Sequence, residues 1–346
     1  MNRVFGLDIG FGDVKAVFEN GEKISMPTAV VHAKAGTVEL GEYAGSNEEC
    51  LYQGKSFLVG KGALEKSLST RSFDFLKKYA PLLAYKVMKD AMSGKQSADT
   101  QNASRKERSK KAKGSVKETD NGIPDSLAIG LPLAYYTQQN RDFFVSALRR
   151  FEVNGESFRF DDIEVFPQGV GILLDYRLND EGHEKPGTDV DGLVVDIGFN
   201  TVDVVAFSGG SAIKGESAMF ERAGVSRIAQ DLMQKIQSDT GLNLSEQEAK
   251  QVLLEGKIKV YGAEKDFSVS IEEIVEDYLE GILNTLTSRW EDRLQRSSVL
   301  LIGGGGAHYM KAFLPERYRN IVHIPDDPEF SNARGFRKAF MAKKFK

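Results

Sequence analysis

One ten-residue pattern occurs twice in this chain. Asp8-Ile-Gly-Phe-Gly-Asp-Val-Lys-Ala-Val17 and Asp196-Ile-Gly-Phe-Asn-Thr-Val-Asp-Val-Val205 align without a gap at an offset of 188 residues. Asp, Ile, Gly, Phe and two Val coincide. Each copy follows a short apolar run and leads into alternating apolar positions, Val14–Phe18 and Val202–Phe207, that suit the second arm of a β-hairpin. A chain of 346 residues is long enough for two hydrophobic cores, so the repeat predicts two halves that each open on the same strand–turn–strand device. Three runs of branched apolar residues bounded by glycine, Val4–Gly12, Leu193–Gly198 and Val299–Gly306, read as strands buried on both faces. Between them lie helical patterns at Asn140–Phe151, Ser226–Gln237 (with Ser226 able to cap the first turn) and Ile271–Leu294. Interleaved strands and helices predict a layered α/β protein.

The residue types in the repeat suit phosphate chemistry. A glycine turn (Gly10-Phe11-Gly12-Asp13; Gly198-Phe199-Asn200) lets backbone N–H groups approach phosphate oxygens with no Cβ in the way. An aspartate ending the preceding strand, Asp8 or Asp196, can hold Mg²⁺, usually through its waters. Lys15 and Thr201, just past the turns, can reach the same phosphates. A single D-x-G turn is more often only a tight β-turn, whereas two at corresponding points of two halves favour a clamp on a β,γ-phosphate. Val299-Leu-Leu-Ile-Gly303-Gly304-Gly305-Gly306 adds a strand running into four glycines before a helical stretch, Tyr309–Phe313, and permits close backbone approach to a flat or anionic ligand. Gly224, at the start of an amphipathic helix, is by itself only a helix start.

Composition narrows the class. Lys and Arg number 46 against 50 Asp and Glu, a net charge of −4, so a globally basic nucleic-acid binder is disfavoured. The single cysteine, Cys50, excludes an intrachain disulfide framework and fits a reducing compartment. His32, His183, His308 and His323 have no metal-ligand spacing. No apolar run reaches the ~20 residues of a membrane span, and the N-terminus reads as a strand carrying an acid. Together these predict a cytoplasmic protein. One stretch departs from globular composition: Ser93–Gly122 has no aromatic residue and carries eight basic and four acidic residues, a local charge of +4. It reads as a flexible surface insertion, or else as an electrostatic contact to DNA, an adaptor or a neighbouring subunit.

With these residues in order, the sequence resembles the actin-like ATPase superfamily, and within it the prokaryotic actin-like proteins of the ParM/StbA plasmid-segregation type. The resemblance spans nearly the whole chain. Asp8–Lys15 resembles the first phosphate loop and Asp196–Thr201 the second. Ile129-Gly-Leu-Pro-Leu-Ala134 is similar to the strand and turn before a crossing helix of the first domain. Val165-Phe-Pro-Gln168-Gly-Val-Gly171 looks like the first interdomain connection, Gly303–Gly306 like the adenosine loop, and Ala223-Gly224 like a ribose-side contact. Ser331-Asn-Ala-Arg-Gly335 looks like the segment that returns to the first domain, and the basic tail Arg334–Lys346, with Phe336, Phe340 and Phe345, reads as a docked terminal helix.

The resemblance implies an actin-like (ribonuclease H-like) fold of two similar α/β domains around a nucleotide cleft: residues 1–168 with 325–346, and residues 169–324. It implies ATP and Mg²⁺, with the metal near Asp8 and Asp196 and the phosphates contacted by Lys15. Where the family places Glu or Gln to orient the hydrolytic water stands Gln168, which can position a water but cannot act as a base. The adenine contact is expected on a helix around Glu246–Lys259, with Lys257 as a candidate against its reading as a solvated helix charge. The implied activity is an ATP hydrolase that forms nucleotide-dependent filaments, partnered by itself and by a DNA-binding adaptor. A non-dynamic ATP-binding recruitment module and a small-molecule kinase of the same fold are the alternatives.

Overall fold

The computed structural model describes residues 3–33, 49–66, 72–103 and 125–344. The first half runs β1 (Val4–Ile9), β2 (Asp13–Val17), β3 (Lys23–Pro27), β4 (Val30–His32), β5 (Cys50–Tyr52), β6 (Lys55–Val59), α1 (Phe73–Ala103), β7 (Ser126–Leu131), α2 (Gln138–Arg149), β8 (Arg150–Val153), β9 (Glu156–Arg159) and β10 (Asp162–Pro167). After α3 (Val170–Arg177) come β11 (Gly192–Ile197), β12 (Thr201–Ser208), β13 (Ser211–Ala212), β14 (Ala218–Glu221), α4 (Ser226–Thr240), α5 (Glu246–Glu255), β15 (Lys257–Val260) and β16 (Ala263–Asp266). The chain ends with α6 (Ser268–Arg296), β17 (Val299–Gly303), α7 (Ala307–Phe313), β18 (Val322–His323) and α8 (Ser331–Lys344).

The repeat is a repeat of topology. In the first sheet, β10-β7-β1-β2-β3, strand β1 is antiparallel to β2 on one side and parallel to β7 on the other. In the second, β13-β12-β11-β17-β18 with β14 also on β12, strand β11 is antiparallel to β12 and parallel to β17. Side chains alternate across a strand, which splits each central strand between two layers. Phe5, Leu7 and Ile9 join an outer core with α1 and α2, and Leu193, Val195 and Ile197 join another with residues of α4, α6 and α7. The opposite, inner faces are closed by two other helices. α8 packs Phe336 and Phe340 on Val4, Ala128 and Phe166, while α3 packs Ile172 and Leu173 on Val194, Val205 and Leu301. The same alternation sends Asp8 and Asp196 to these inner faces.

α3 and α8 also pack on each other, and a buried ionic knot fastens them. Asp175 of α3 accepts from Arg334 at 3.0 Å and 2.6 Å and from Lys338 at 2.8 Å. These cations hold the Asp175 carboxyl below its ordinary range against the desolvation that would raise it. The tail is thus a docked helix, and two of its basic residues are structural; Phe345 lies outside the described residues.

Several boundaries differ from the sequence reading. The helix read as Asn140–Phe151 is α2, capped by Thr137, and Phe151 already belongs to β8. Ser226 does not cap α4; it is the first helical residue. The helix read as Ile271–Leu294 extends to Ser268–Arg296 and breaks helical geometry at Trp290, whose indole N–H donates to the Glu216 carbonyl at 2.8 Å. The polar stretch Ser93–Gly122 begins inside α1, and its residues 104–122 lie outside the described residues. Among the described residues no helix is long and apolar enough to cross a membrane.

Candidate functional site: paired hairpin loops and a shared carboxylate cluster

Each glycine loop is closed the same way. The Gly10 N–H donates to the Asp13 carbonyl at 3.1 Å, and the Gly198 N–H donates to the Thr201 carbonyl at 2.9 Å. The first loop is braced by Thr28, whose hydroxyl donates to the Gly10 carbonyl at 2.7 Å and whose N–H donates to the Gly12 carbonyl at 2.9 Å. The second is braced by the entry to α4: the N–H groups of Gly224, Val225 and Ser226 donate to the carbonyls of Asn200, Gly198 and Phe199 at 3.3, 3.0 and 2.8 Å. A helix leaves its first N–H groups without partners, and here the loop carbonyls use them. Gly224 therefore sits beneath the second loop as its support.

The loops face and touch one another. A Cβ on Gly12 would stand 2.5 Å from the Phe199 Cβ, and Lys250 of α5 donates to both carboxylate oxygens of Asp13 at 3.0 and 2.9 Å. Beside this contact opens a cavity of about 380 Å³ lined by Asp13, Lys15, Phe199, Lys250, Leu253, Gly305 and Tyr309 among others. Gly303 and Gly304 pack inward, Gly304 with φ +79° and with Asp196 Oδ1 2.5 Å from where a Cβ would lie; Gly306 packs on Ile197, and Gly305 faces open space. A larger groove of about 550 Å³, between the β5–β6 turn, α1 and α2, contains none of the repeat residues.

Behind the loops three carboxyl groups are buried together: Asp8, Asp196 and Asp203. Hairpin register sets Lys15 opposite Asp8 and Asp203 opposite Asp196. Gln168, at the end of the first connection, donates its amide to Asp8 Oδ1 at 2.5 Å. Asn332, on the returning segment, donates to Asp196 Oδ2 at 2.6 Å and accepts the Gly169 N–H at 3.0 Å. Burial raises the Asp8 carboxyl above its ordinary value, opposed by Lys15, Gln168 and Asn332. Burial, and then the Asp8 charge, push Asp196 up to about 6, with Asn332 opposing. Burial and the Asp196 charge raise Asp203 well above its ordinary value, and its Oδ1 is buried without a hydrogen-bond partner. Like charges in a dry site disfavour ionisation, so this cluster attracts a cation.

Of the residues singled out in the sequence, Asp13, Lys15, Phe199 and Gly305 thus line the cavity, while Asp8, Gln168 and Asp196 lie buried together and Gly303, Gly304 and Gly306 pack inward beside them. Lys257 lies elsewhere. The helix expected through Lys259 ends at Glu255 with Gly256 in the left-handed cap, and Lys257 starts an exposed hairpin, paired with Glu264 at 3.0 Å. The cavity cation of that region is Lys250, in the middle of α5. Sequence reasoning also assigned no role to Asn332 or Asp203, although Asp203 is the repeat equivalent of Lys15.

Two sheets built on the same hairpin, closed by crossing helices over a shared carboxylate pair, define the actin-like fold. Two family models of actin-like proteins match the chain: that for the N-terminal domain of actin-like proteins over residues 6–171, and that for the C-terminal part of the archaeal MreB-like actin homologue over residues 194–316. An archaeal actin homolog of Thermoplasma volcanium is 24% identical over 380 aligned residues, covering 97% of this chain and 98% of its own. The crystal structure of Ta0583, an archaeal actin homolog, in complex with ADP superposes with a TM-score of 0.71 at 20% identity, covering 98% of this chain and 99% of that one. A subunit of a 15-stranded ParM filament from Clostridium botulinum superposes at 0.70 with 18% identity, covering 99% and 100%.

Proposed function

We propose that this chain is an ATPase that assembles into filaments with ATP bound and loses filament stability after hydrolysis. The observation that carries the reading is the facing pair of glycine loops over the Asp8–Asp196 pair, with a cavity of nucleotide size beside them. The ADP complex of one structural relative and the filament of another support the two parts of it.

In this reading the β- and γ-phosphates lie against the backbone of the Gly10–Gly12 and Gly198–Asn200 loops, with Lys15 and Thr201 beside them, and the base and ribose enter the cavity by Gly305, Tyr309 and Lys250. Among the described residues no three His, Cys, Asp or Glu side chains form a cage for a metal. Two buried carboxyls raised by their surroundings nonetheless fit Mg²⁺, which keeps most of its waters and takes its remaining contacts from one or two carboxylates and the phosphates. Asp8 and Asp196 would hold it, and when bound it neutralises charge developing on the phosphoryl oxygens. Gln168 orients the attacking water; an amide accepts a hydrogen bond but takes no proton, so its contribution is positioning. Water attacks the γ-phosphorus, the bond to the β,γ-bridging oxygen breaks, ADP departs with that electron pair, and the water's proton passes to solvent.

The proposed division is residues 1–168 with 325–346 against 169–324, which makes the Gln168–Gly169 connection and the return into α8 the hinge through which nucleotide state reaches the subunit surface. Self-association is the first partner. A cytoplasmic setting and cargo such as plasmid DNA held through an adaptor follow from the ParM-like resemblance and the acidic net charge. Phosphate release tests the chemistry: the protein releases phosphate from Mg-ATP, and Asp8→Ala and Asp196→Ala each lower the rate by about 10²–10³. Release at the wild-type rate by either variant contradicts the assignment.

A further inference from the structure

We infer that Asn332 is a positioning residue that ties the hinge to the Asp196 carboxylate, so that the orientation of Asp196 follows the crossing of α3 and α8. The inference deepens the ATPase reading above and rests on it.

The two chain connections treat the two aspartates alike. Each supplies a buried side-chain amide: Gln168 on the outward connection donates to Asp8, and Asn332 on the return donates to Asp196 and also favours the charged form of Asp8. The resemblance in function ends there, because only Asn332 spans the two sheets. α8 packs on the inner face of the first sheet through Phe336 and Phe340, whereas Asp196 stands on the central strand of the second. The bond of 2.6 Å between them therefore joins one half of the molecule to the other.

The amide is also held at its other end. Its oxygen accepts the Gly169 N–H at 3.0 Å, so one side chain ties the return segment, the outward connection and Asp196. A buried amide is costly unless its polar atoms are paired, and asparagine has no intrinsic preference for a helix. Here it sits in the first turn of α8 with a partner at both ends. Two residues further on, Arg334 clamps α8 to Asp175 of α3, so Asn332 moves with the α3–α8 pair. With Oδ2 engaged by Asn332, Asp196 Oδ1 is the oxygen nearest Gly304 of the glycine run. A change in the helix crossing must either turn this carboxylate or break its bond to Asn332. The residue is thus placed to make the reactive geometry depend on closure.

The test compares wild type, Asn332→Ala and Asn332→Asp in the full chain with Mg-ATP. ATP affinity and the single-turnover hydrolysis constant are measured separately. The Asp variant is close to isosteric and keeps the acceptor for Gly169 but puts a further carboxyl against Asp196, so the Ala variant reads the lost donor and the Asp variant reads the sign of the contact, with thermal unfolding of both checking that they fold. The expected result is ATP affinity within about threefold of wild type and hydrolysis of bound ATP slowed about 10–100-fold in both variants, the size of a lost hydrogen bond to a charged group. A thermodynamic cycle of Asn332→Ala with Asp196→Ala on unfolding of the nucleotide-free protein is expected to show coupling of about tenfold in the unfolding constant. Wild-type hydrolysis by the Ala variant would mean that Asp196 needs no amide donor, and it overturns the inference. So does a loss confined to affinity, or an uncoupled cycle. If wild type itself releases no phosphate, the ATPase reading fails and the positioning role falls with it; if wild type hydrolyses and both variants match it, only the inference fails.

Discussion

Gly335 of α8 and Gly171 of α3 meet backbone to backbone: a Cβ on Gly335 would stand 1.8 Å from the Gly171 carbonyl oxygen. The two connections between the sheets therefore cross with no side chain between them, and this closeness lets Asn332 of α8 reach the Asp196 carboxylate of the second sheet. A methyl group at position 335 can be accommodated only by separating the helices. Gly335→Ala is expected to destabilise the protein by about 3 kcal/mol, the upper range of overpacking effects. Urea unfolding checks this, and a change within about 0.5 kcal/mol would contradict the packing described.

The raised carboxyl of Asp196 makes stability depend on pH. With a native value of about 6 against an ordinary 3.8, the folded state holds a proton that the unfolded chain has released between these values. The folded state binds more protons there, so its stability falls as pH rises from about 4 to about 6. Asp196→Asn removes this titration. In nucleotide-free, metal-free protein the variant gains on wild type across that window, by up to about 3 kcal/mol at neutral pH. Denaturation at several pH values reads the difference, and parallel curves for the two proteins would contradict it.

Lys250 and Asp13 link α5 to the first loop at the mouth of the cavity. Both are partly exposed, 36% and 23% by side chain, so the pair contributes only about 0.5–1 kcal/mol. The expected effect of Lys250→Ala is faster nucleotide exchange, about two- to fivefold by that energy, with Asp13→Asn producing the same change and the double variant no more. Lys257→Ala, on the exposed hairpin, leaves exchange unaltered. Stopped-flow release of a fluorescent ATP analogue distinguishes the two lysines, and equal effects would contradict the placement.

Gln168 holds no charge, so its replacement separates positioning from binding. Gln168→Ala should leave ATP affinity near wild type and lower hydrolysis about 10²-fold, the cost of a misplaced reactant. An affinity loss that accounts for the whole change in kcat/KM would assign the residue to binding instead.

Much of this was legible in the sequence. The offset repeat revealed both hairpins, because a glycine turn after an apolar strand is a local signal and two copies fix corresponding points in two halves. Which face of β1 and β11 the aspartates take, opposite Phe5 and Leu193, was read only from the structure. Less visible were contacts set by long-range packing. Asn332 lies in a recognised segment, yet its role depends on α8 crossing α3 at two glycines. Lys257 was misplaced because the helical stripe of α5 continues in composition past Gly256, where a left-handed cap ends the helix and turns the chain into a hairpin. Asp203 stood in plain view as the counterpart of Lys15, but its significance came only from burial beside Asp196.

In the proposed function, nucleotide chemistry in the cleft controls self-assembly. High-speed pelleting with light scattering, and phosphate release followed in the same samples, tests it most directly in Mg-ATP, a non-hydrolysable analogue and no nucleotide. The expected result is polymer with ATP that decays as phosphate appears, lasting polymer with the analogue, and none without nucleotide. Equal sedimentation in all three conditions, or ATP binding with neither polymer nor phosphate at tens of micromolar protein, would contradict it.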